Sequence, residues 1–459
     1  MAFTIRKLSL GDLILNRRGS FTFRAVLAAF GIALRLFFRR IETVNAEVAP
    51  EKGGLIFVLN HPNGLIDPAL VFVALPRRIS FLAKSTLFQM PVISFLLRTV
   101  EALPLYRKID AGEDVSKNQK TFEVCRALLK KGGSIALFPE GVSHNSPTLL
   151  PAKTGAARIA LGTVSGGADL PPFDLDIVPV GLYYTNKTTF RSEALLHFGE
   201  PFRVEPVELD SDGQPPREAV KQLTNKIENA LLEVTLNAES EAKLDTANIA
   251  ERIFSSAAEN ENLGDKFEFL QNFVAGTSDE RDVPVEKLLT DKLHEYDKKL
   301  DAYGIEAEHL SLAQFSRWFV VREAFIQAWL LLILSPLAVI GAIFHFPAYK
   351  LCKLFSYLYT RHGADDVVST VKILAGMVFM PLTWLIIAAV LYFFFDGRIA
   401  LLSLPVSLMC GYIALYTLEQ IEELSGWAKA IWLFLTKREA FLRMFVKRRE
   451  LQVELNRFD

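Results

Sequence analysis

The sequence predicts an α/β domain, with a mixed sheet flanked by helices, followed by a helical region and a C-terminal set of transmembrane helices. Three observations lead to this prediction. Short apolar segments alternate with helical segments between about residues 54 and 202. Charged helix formers dominate from about residue 207 to residue 312. Beyond them, three uncharged runs each reach the roughly 20 residues needed to cross a bilayer.

Composition narrows the functional classes. The 459 residues carry a formal net charge of −1, which excludes a polycationic nucleic-acid binder. The mean hydropathy of +0.24 indicates that part of the chain contacts a membrane. The three cysteines, Cys125, Cys352 and Cys410, are widely spaced. They predict a reducing compartment with neither a disulfide framework nor a metal site.

The N-terminal region, residues 1–45, contains an uncharged run between Arg24 and Arg35. Ten residues are too few to span a bilayer, and no small-residue cleavage site follows as in a signal peptide. We expect a helix that lies at the membrane interface, with its arginines reaching lipid phosphates. The alternative is an ordinary packing helix.

The α/β domain is predicted over residues 46–206. Its expected elements are strands at residues 54–59, 78–82, 134–138, 177–184 and 195–198, and a helix at residues 117–131. Ligands of such domains bind at the ends of strands, so the residues that follow each strand are the candidates for chemistry.

Three further regions complete the chain. We expect a soluble helical region at 207–320, membrane segments at 321–420, and a basic amphipathic tail at 421–459. The uncharged runs cover residues 324–344, 373–395 and 399–418.

The orientation in the membrane is ambiguous from the sequence. Cations cluster after the first run and on the tail, at Lys350, Lys353, Arg361, Lys372, Arg438, Arg443, Lys447, Arg448 and Arg449. If all three runs cross, the positive-inside rule places both clusters in the cytosol and the α/β domain on the other side. A re-entrant turn at Ser335-Pro336 would allow the integral, cytosol-facing arrangement that we expect.

A histidine and a carboxylate, His61 and Asp67, follow the apolar segment of residues 54–59. Pro62 and Gly64 disfavour a continuous helix between them, so a turn can bring the two side chains together. A neutral imidazole can take a proton from an alcohol, and a buried carboxylate fixes its tautomer. The alternative is a helix-capping aspartate beside an unrelated loop histidine.

Three further pairs of residues follow or interrupt predicted strands: Arg107-Lys108, Glu140-Gly141 and Pro179-Val180. The first supplies two cations, as an anionic headgroup requires. The second includes a glycine that lets the backbone approach a ligand closely. The third interrupts an apolar strand with a proline. Each pair alone also has an ordinary structural explanation. The cations could simply be solvated, Glu140-Gly141 could form a turn, and Pro179-Val180 could pack in the core.

In this order, the four segments resemble the glycerolipid acyltransferase family, which includes glycerol-3-phosphate and lysophosphatidic acid acyltransferases. The likeness covers about residues 40–205, and Lys84 and Lys153 lie in segments similar to the family's lysine segments. Five residues separate the motif His and Asp, whereas four are common in the family. The commoner Glu-Gly-Thr-Arg of the family is replaced here by Glu140-Gly141-Val142-Ser143-His144. Both departures resemble a subgroup that includes fungal glycerol-3-phosphate acyltransferases.

The resemblance implies transfer of a fatty acyl group from acyl-CoA or acyl carrier protein to a hydroxyl of glycerol 3-phosphate or 1-acylglycerol 3-phosphate, without a cofactor. His61 would be the base and Asp67 its orienting carboxylate. Substrate-binding candidates are Lys84, Arg107, Lys108, Glu140, Gly141, Ser143, His144 and Lys153, with Pro179 and Val180 as the apolar motif on the acyl-donor side. Expected partners are the thioester, the glycerol phosphate or lysophospholipid acceptor, and the bilayer.

Two alternatives belong to other functional classes or substrates. A lysophospholipid remodelling acyltransferase would keep His61 and Asp67 but relax the demand for Arg107. A non-catalytic lipid-binding scaffold would need neither the base nor its carboxylate. A hydrolase is disfavoured because the sequence lacks a Gly-x-Ser-x-Gly nucleophile elbow.

Overall fold

The structure, a computed structural model, describes residues 5–7, 20–75, 77–110, 112–165, 173–256, 262–276, 283–314, 317–360 and 367–458. The chain divides into two compact units. The first comprises Met1–Asn237 together with Thr360–Ile373, and the second comprises Ala238–Tyr359 together with Leu374–Asp459.

The first unit is built on a mixed sheet, as predicted. Its described strands are β1 (Ile5–Lys7), β2 (Arg40–Val44), β3 (Gly54–Leu59), β4 (Ile79–Lys84), β5 (Leu103–Leu105), β6 (Ser134–Leu137), β7 (Leu175–Tyr184), β8 (Glu193–Phe198) and β9 (Phe202–Arg203). Their order is β1-β2-β8-β7-β3-β6-β4-β5, and β9 also pairs with β7. The pairs formed by β3, β4, β5 and β6 are parallel, whereas β8 and β9 run antiparallel to β7.

Helices flank this sheet on both faces. They are α1 (Phe21–Phe37), α2 (Ile66–Ala74), α3 (Pro91–Thr99), α4 (Asn118–Lys130), α5 (Gly155–Val164) and α6 (Arg217–Val234). Ile56 and Val58 of the central strand share one apolar cluster with residues of α4, α5 and α6. Leu82 of β4 belongs to the same cluster, so its neighbour Phe81 points to the opposite face, where it contacts Phe72 of α2 at 4.8 Å between ring centroids.

The first unit extends further along the chain than its composition suggested. Helix α6, which its charged residues placed in the helical region, buries Ile227 and Leu231 in the core of the sheet. The N-terminal part of the unit therefore continues to Asn237 rather than stopping near residue 206. An amphipathic helix of this kind reads as soluble because only one face is apolar.

Helix α1 contains the uncharged N-terminal run and extends beyond it at both ends. Ser20 caps it by accepting a hydrogen bond from Phe23 N at 3.2 Å. Its buried face packs within the first unit, whereas Phe21, Ile32 and Leu36 are exposed. These three exposed residues are apolar, whereas Thr22 and Arg24 are exposed polar residues of the same helix, and the interfacial placement of α1 stays a prediction.

The second unit is helical. Its elements are α7 (Glu241–Ser255), α8 (Leu263–Gly276), α9 (Val283–Tyr303), a 3-10 helix (Ala307–Gln314), α10 (Arg317–Thr360), most of α11 (Val368–Phe394), α12 (Gly397–Thr436) and α13 (Arg438–Leu455). The tail helix α13 is amphipathic and buries Phe441, Arg448 and Leu451. Arg448 donates to the carbonyl oxygen of Ala307 at 2.8 Å, so the tail helix is packed against this unit.

Three of the described helices are long and apolar enough to cross a membrane, namely Ala328–Thr360 within α10, α11 and α12. Helix α10 continues through Pro336 without a break. The prediction of a re-entrant turn at Ser335-Pro336 is therefore wrong. Lys350 and Lys353 lie on α10 and Lys372 on α11, not on a connecting loop. Arg361 lies outside the described residues.

Candidate active site

The two motif residues His61 and Asp67 meet through the turn that follows β3. Gly64 has a φ of +44°, a conformation that favours glycine, and Asp67 lies in the first turn of α2. The distance from His61 Nδ1 to Asp67 Oδ2 is 2.8 Å. Asp67 Oδ2 also accepts from the Asn63 backbone N–H at 2.8 Å. The carboxylate thus closes the turn and holds the histidine at once.

A third donor fixes the carboxylate from the far end of β7. The hydroxyl of Tyr184 donates to Asp67 Oδ1 at 2.5 Å, and both side chains are buried. Burial, and then the neighbouring charge of Asp67, raise the pKa of Tyr184 well above its usual range, so its proton stays on the hydroxyl.

This arrangement determines which nitrogen of His61 can act as a base. Asp67 accepts from two other donors, so the third contact is best made by an Nδ1–H group. The neutral ring then presents Nε2 with a lone pair. The side chain of His61 remains 18% exposed while that of Asp67 is 0% exposed. A substrate can therefore reach the ring but not the carboxylate.

Aromatic packing sets the plane of the His61 ring. The ring stacks on Phe138 with centroids 3.9 Å apart and an interplanar angle of 11°. Phe138 in turn stacks on Phe81, with centroids 5.9 Å apart. Since Phe138 directly follows β6 and Phe81 lies on β4, the parallel strands beside β3 support the imidazole.

Glu140, expected at the substrate, points into the protein. Its Oε1 accepts from the backbone N–H of His61 at 2.8 Å, and its Oε2 accepts from Leu150 N at 2.9 Å. The ring Nε2 of His144 also contacts Oε2. Glu140 is 2% exposed, so it ties the histidine turn to the loop that follows it and does not face a ligand.

His144 is held as part of the same loop. Its Nδ1 accepts from Ser146 N at 3.1 Å, so the proton of the neutral ring lies on Nε2, which donates to Glu140. The backbone N–H of His144 donates to the carbonyl oxygen of His61 at 3.2 Å. Its imidazole is thereby committed to the loop, and this geometry leaves its expected contact with a phosphate unsupported.

Two cations of the predicted set, Arg107 and Lys84, contact Asp110, a residue that the sequence did not identify. Arg107 donates through Nε and Nη2 to the two oxygens of Asp110 at 2.9 and 3.0 Å. Lys84 Nζ lies 3.1 Å from Asp110 Oδ1. The hydrogen bond from Arg107, supported by Lys84, holds the pKa of Asp110 below its usual value.

Gly141 joins this cation cluster to the histidine turn. Its carbonyl oxygen accepts from Arg107 Nη1 at 2.6 Å. Its φ is +75°, and a Cβ at this position would collide with the ammonium end of Lys153. The positive φ favours glycine there, and Arg107 and Lys153 both lie against the loop that begins at Glu140.

The remaining predicted residues lie apart from these contacts. Lys108 is exposed and Ser143 is half-buried. Pro179 and Val180 were expected on the acyl-donor side, but both are buried in β7, where Val180 pairs with Leu59 of β3. Both are core residues, so the prediction that they contact the acyl donor directly is wrong.

Pro179 is tolerated in this central strand for a structural reason. Its carbonyl oxygen accepts from Gly199 N at 2.9 Å, on the edge of β7 that faces β8 and β9. It lies between the residues paired with β9 and those paired with β8, at a break in the pairing, where a sheet tolerates a residue without an N–H.

Two asparagines complete the site and were also missed. The side chain of Asn60 accepts from Leu182 N at 2.7 Å and donates to Leu182 O at 3.1 Å, which extends the β3–β7 pairing by one step. Asn63 Nδ2 donates to the carbonyl oxygen of Lys187 at 3.3 Å. Their positions in the sequence, next to His61, were the only available signal.

Comparison with known proteins finds similarity to acyltransferases along most of the chain. Residues 40–183 match the model of the acyltransferase family. Residues 246–458 match that of the glycerol-3-phosphate acyltransferase 2 C-terminal domain. The second match covers a helical region to which the motifs assigned no chemistry.

Individual acyltransferases show the same relationship. Glycerol-3-phosphate O-acyltransferase 2 of Saccharomyces cerevisiae is 29% identical over 58% of this chain and 37% of its own length. An uncharacterized acyltransferase of Schizosaccharomyces pombe is 25% identical over 80% of this chain and 68% of its own. A chloroplastic 1-acyl-sn-glycerol-3-phosphate acyltransferase of Brassica napus is 29% identical over 32% of this chain and 38% of its own. The chain therefore spans less than two fifths of the first and third of these relatives.

The Tyr184→Phe substitution tests whether the buried hydroxyl supports the His61–Asp67 pair. A hydrogen bond to a charged group contributes about 1.5–3 kcal/mol, so we expect a lower midpoint of thermal unfolding. We also expect a reaction that uses His61 as its base to slow by roughly three- to tenfold, because Asp67 can then rotate away from His61.

Tyr296→Phe is the matched control, since this buried tyrosine of the second unit donates to the carbonyl oxygen of Met444 at 3.1 Å. It should lower the unfolding midpoint without changing the turnover of folded enzyme. Equal turnover in Tyr184→Phe and the wild type would contradict the role given to Tyr184.

Proposed function

We propose that this chain is a membrane-bound enzyme of phospholipid biosynthesis that transfers a fatty acyl group from an acyl thioester to a hydroxyl of glycerol 3-phosphate or 1-acylglycerol 3-phosphate. The observation that carries this proposal is the 2.8 Å hydrogen bond between His61 Nδ1 and Asp67. It leaves a basic nitrogen at a strand end, next to a loop lined by cations. The match of residues 40–183 to the acyltransferase family model and the names of the relatives support the same reaction class.

In the proposed reaction, His61 Nε2 removes the proton of the acceptor hydroxyl as its oxygen attacks the thioester carbonyl carbon. The tetrahedral intermediate collapses, the carbon–sulfur bond breaks, and the imidazolium returns its proton to the leaving thiolate. Asp67 stabilises the imidazolium during this cycle. A base positioned in this way accelerates a reaction by roughly 10²–10⁴.

The acyl group passes directly between the two substrates in this scheme. Both are bound at once, and proximity lowers the barrier without a covalent acyl-enzyme. The reaction calls on no metal ion or other cofactor. CoA and acyl carrier protein present the same thioester carbonyl, so the chemistry at His61 is common to both donors.

The cation cluster suits the phosphate of the acceptor. Arg107 and Lys153 flank the Gly141 loop, and Lys84 shares the acidic partner Asp110 with Arg107. Three cations against the carboxylates of Asp110 and Glu140 leave a positive excess, which suits an anionic phosphate. The loop also links the two functions, because Glu140 binds the backbone of His61 and Gly141 binds Arg107.

Substitution of His61 or Asp67 by alanine tests the general base. We expect either variant to lose acyl transfer almost completely, with thermal unfolding close to that of the wild type for His61→Ala. Rates are measured on the purified full chain with glycerol 3-phosphate, lysophosphatidic acid and lysophosphatidylcholine as parallel acceptors.

Turnover like the wild type's in either folded variant would rule out this mechanism. Preference for lysophosphatidylcholine over the two phosphate monoesters would favour a remodelling enzyme. Absence of transfer to all acceptors by the wild type would favour a lipid-binding scaffold.

Arg107→Gln tests the phosphate site. Loss of a charge-assisted pair should raise the KM for glycerol 3-phosphate by roughly tenfold or more, because a hydrogen bond to a charged group is worth about 1.5–3 kcal/mol. Arg203→Gln is the matched control, since Arg203 forms a 2.8 Å ion pair with Asp174, before the start of β7 and opposite the edge that carries His61. Similar KM values for the Arg107→Gln variant and the wild type would remove Arg107 from the phosphate site.

We also propose that α11 and α12 cross the membrane as a hairpin and that the α/β unit faces the cytosol. The start of α11 belongs to the α/β unit, and only Phe395 and Asp396 separate its end from α12. A hairpin of two spans returns the chain to the side of the α/β unit, where the tail carries Arg438, Lys447 and Arg449. The positive-inside rule then assigns that side to the cytosol.

Cysteine labelling tests this topology in sealed vesicles with the cytosolic face outward. A Val453→Cys variant, at an exposed tail position, should react with a membrane-impermeant maleimide, whereas Gly397→Cys at the hairpin turn should react only after permeabilisation. The wild type, with its three buried cysteines, gives the background. Labelling of Gly397→Cys in intact vesicles would contradict the hairpin.

A further inference from the structure

The first turn of helix α11 packs against the turn that carries His61 and Asp67. This part of α11 belongs to the first unit, which includes Thr360–Ile373. Ser369 is 0% exposed and Thr370 is 5% exposed. Two polar side chains are therefore buried at the start of a helix that is otherwise apolar enough to cross a membrane.

Thr370 supplies a hydrogen-bond acceptor to the catalytic turn. Its Oγ1 accepts from the backbone N–H of Leu65 at 3.2 Å. Leu65 lies between His61 and Asp67 and is the N-cap residue of α2, where no side-chain cap is present. The first backbone N–H groups of a helix lack partners within it, so Thr370 satisfies one of them from another helix.

Ser369 holds the opposite side of the same turn through the loop after β7. Its hydroxyl donates to the carbonyl oxygen of Lys187, which also accepts from Asn63 Nδ2 at 3.3 Å. On the next residue, the carbonyl oxygen of Thr188 accepts from Lys372 Nζ at 2.7 Å. Helix α11 thus reaches Asn63 through Lys187, in addition to its direct contact with Leu65.

We propose that Thr370 and Ser369 are positioning residues for the His61–Asp67 pair, so that one apolar helix both anchors the enzyme and shapes its active site. This inference rests on the proposed function. Asp67 accepts a hydrogen bond from the backbone N–H of Asn63, and Leu65 is the N-cap residue of helix α2, in which Asp67 lies. A fixed α11 therefore keeps the carboxylate in register with the imidazole.

The arrangement also places the base next to lipid. If α11 enters the bilayer just beyond Ile373, the turn bonded to Thr370 lies at the membrane surface. The acyl chain and the product both partition into lipid, whereas glycerol 3-phosphate comes from water. A base at this boundary can meet both substrates without removing the acyl chain from the membrane.

Thr370→Val tests the proposal in the full-length protein, because it removes the hydroxyl and keeps the branched shape. We expect kcat to fall by roughly three- to tenfold, the effect of one lost hydrogen bond, with an unchanged KM for glycerol 3-phosphate. Thr370→Ser should retain the wild-type rate. Thr383→Val is the matched control, since Thr383 lies on the same helix and its hydroxyl donates to Phe379 O within that helix, at 2.9 Å.

Hydrogen exchange provides a readout that does not require activity. Backbone amides of residues 60–70 should exchange faster in Thr370→Val than in the wild type or Thr383→Val, because Leu65 N–H loses its acceptor. Wild-type kcat together with wild-type exchange in Thr370→Val would overturn the proposal. An equal loss of kcat in Thr370→Ser or Thr383→Val would also overturn it, since damage to the helix would then explain the effect.

Failure of the proposed function gives a different pattern. If the wild type and His61→Ala are equally inactive, acyl transfer by this base is excluded, while the exchange of residues 60–70 still decides whether Thr370 holds the turn. If the wild type is active and Thr370→Val has both the wild-type kcat and the wild-type exchange of residues 60–70, the proposed reaction stands and the positioning role of Thr370 is excluded.

Discussion

The candidate site depends on one buried carboxylate. Asp67 is 0% exposed, and an isolated ion in such a place would cost several kcal/mol. Donors from three parts of the chain offset that cost: His61 after β3, the Asn63 backbone in the turn, and Tyr184 at the end of β7. Each donor contributes to stabilising the charge, so the geometry of the histidine and the packing of the first unit support each other.

The register of two neighbouring parallel strands makes this arrangement possible. Leu59, the last residue of β3, pairs with Val180 of β7, and the Asn60 side chain extends that pairing to Leu182. The chain then leaves the sheet at His61, while β7 runs on to Tyr184. A slip of one residue would turn the tyrosine to the other face of the sheet, and the carboxylate would lose its third donor.

Local patterns were sufficient for much of the fold and for the central pair. Strand β3 is an uninterrupted apolar segment, and Pro62 and Gly64 announce the turn, so the approach of His61 to Asp67 could be anticipated. Tyr184 could not, because it lies 117 residues from Asp67 and only strand register joins them. Thr370 was hidden for the same reason, just before a run that reads as a membrane segment.

Residues read as ligands were misjudged when their chemistry suited burial as well as binding. Glu140 follows a strand, as a catalytic carboxylate would, but both of its oxygens serve backbone groups of the two loops. Pro179 and Val180 form an apolar motif because β7 lies inside the sheet. A sequence shows which residues are unusual, whereas the contacts decide whether a residue binds a ligand or the protein itself.

Asp110 gives the cation cluster a basis for choosing between acceptors. Its pKa is lowered by Arg107 and then by Lys84, so it remains charged, and its ion pairs are weakened only as the pH falls toward that lowered value. A neutral or zwitterionic headgroup would have to break these pairs without an equivalent replacement. A phosphate monoester offers more negative charge than the carboxylate it competes with, and the guanidinium of Arg107 can bind it bidentately. The cluster is thus occupied when no acceptor is bound, and it can be opened by the kind of anion that glycerol 3-phosphate carries.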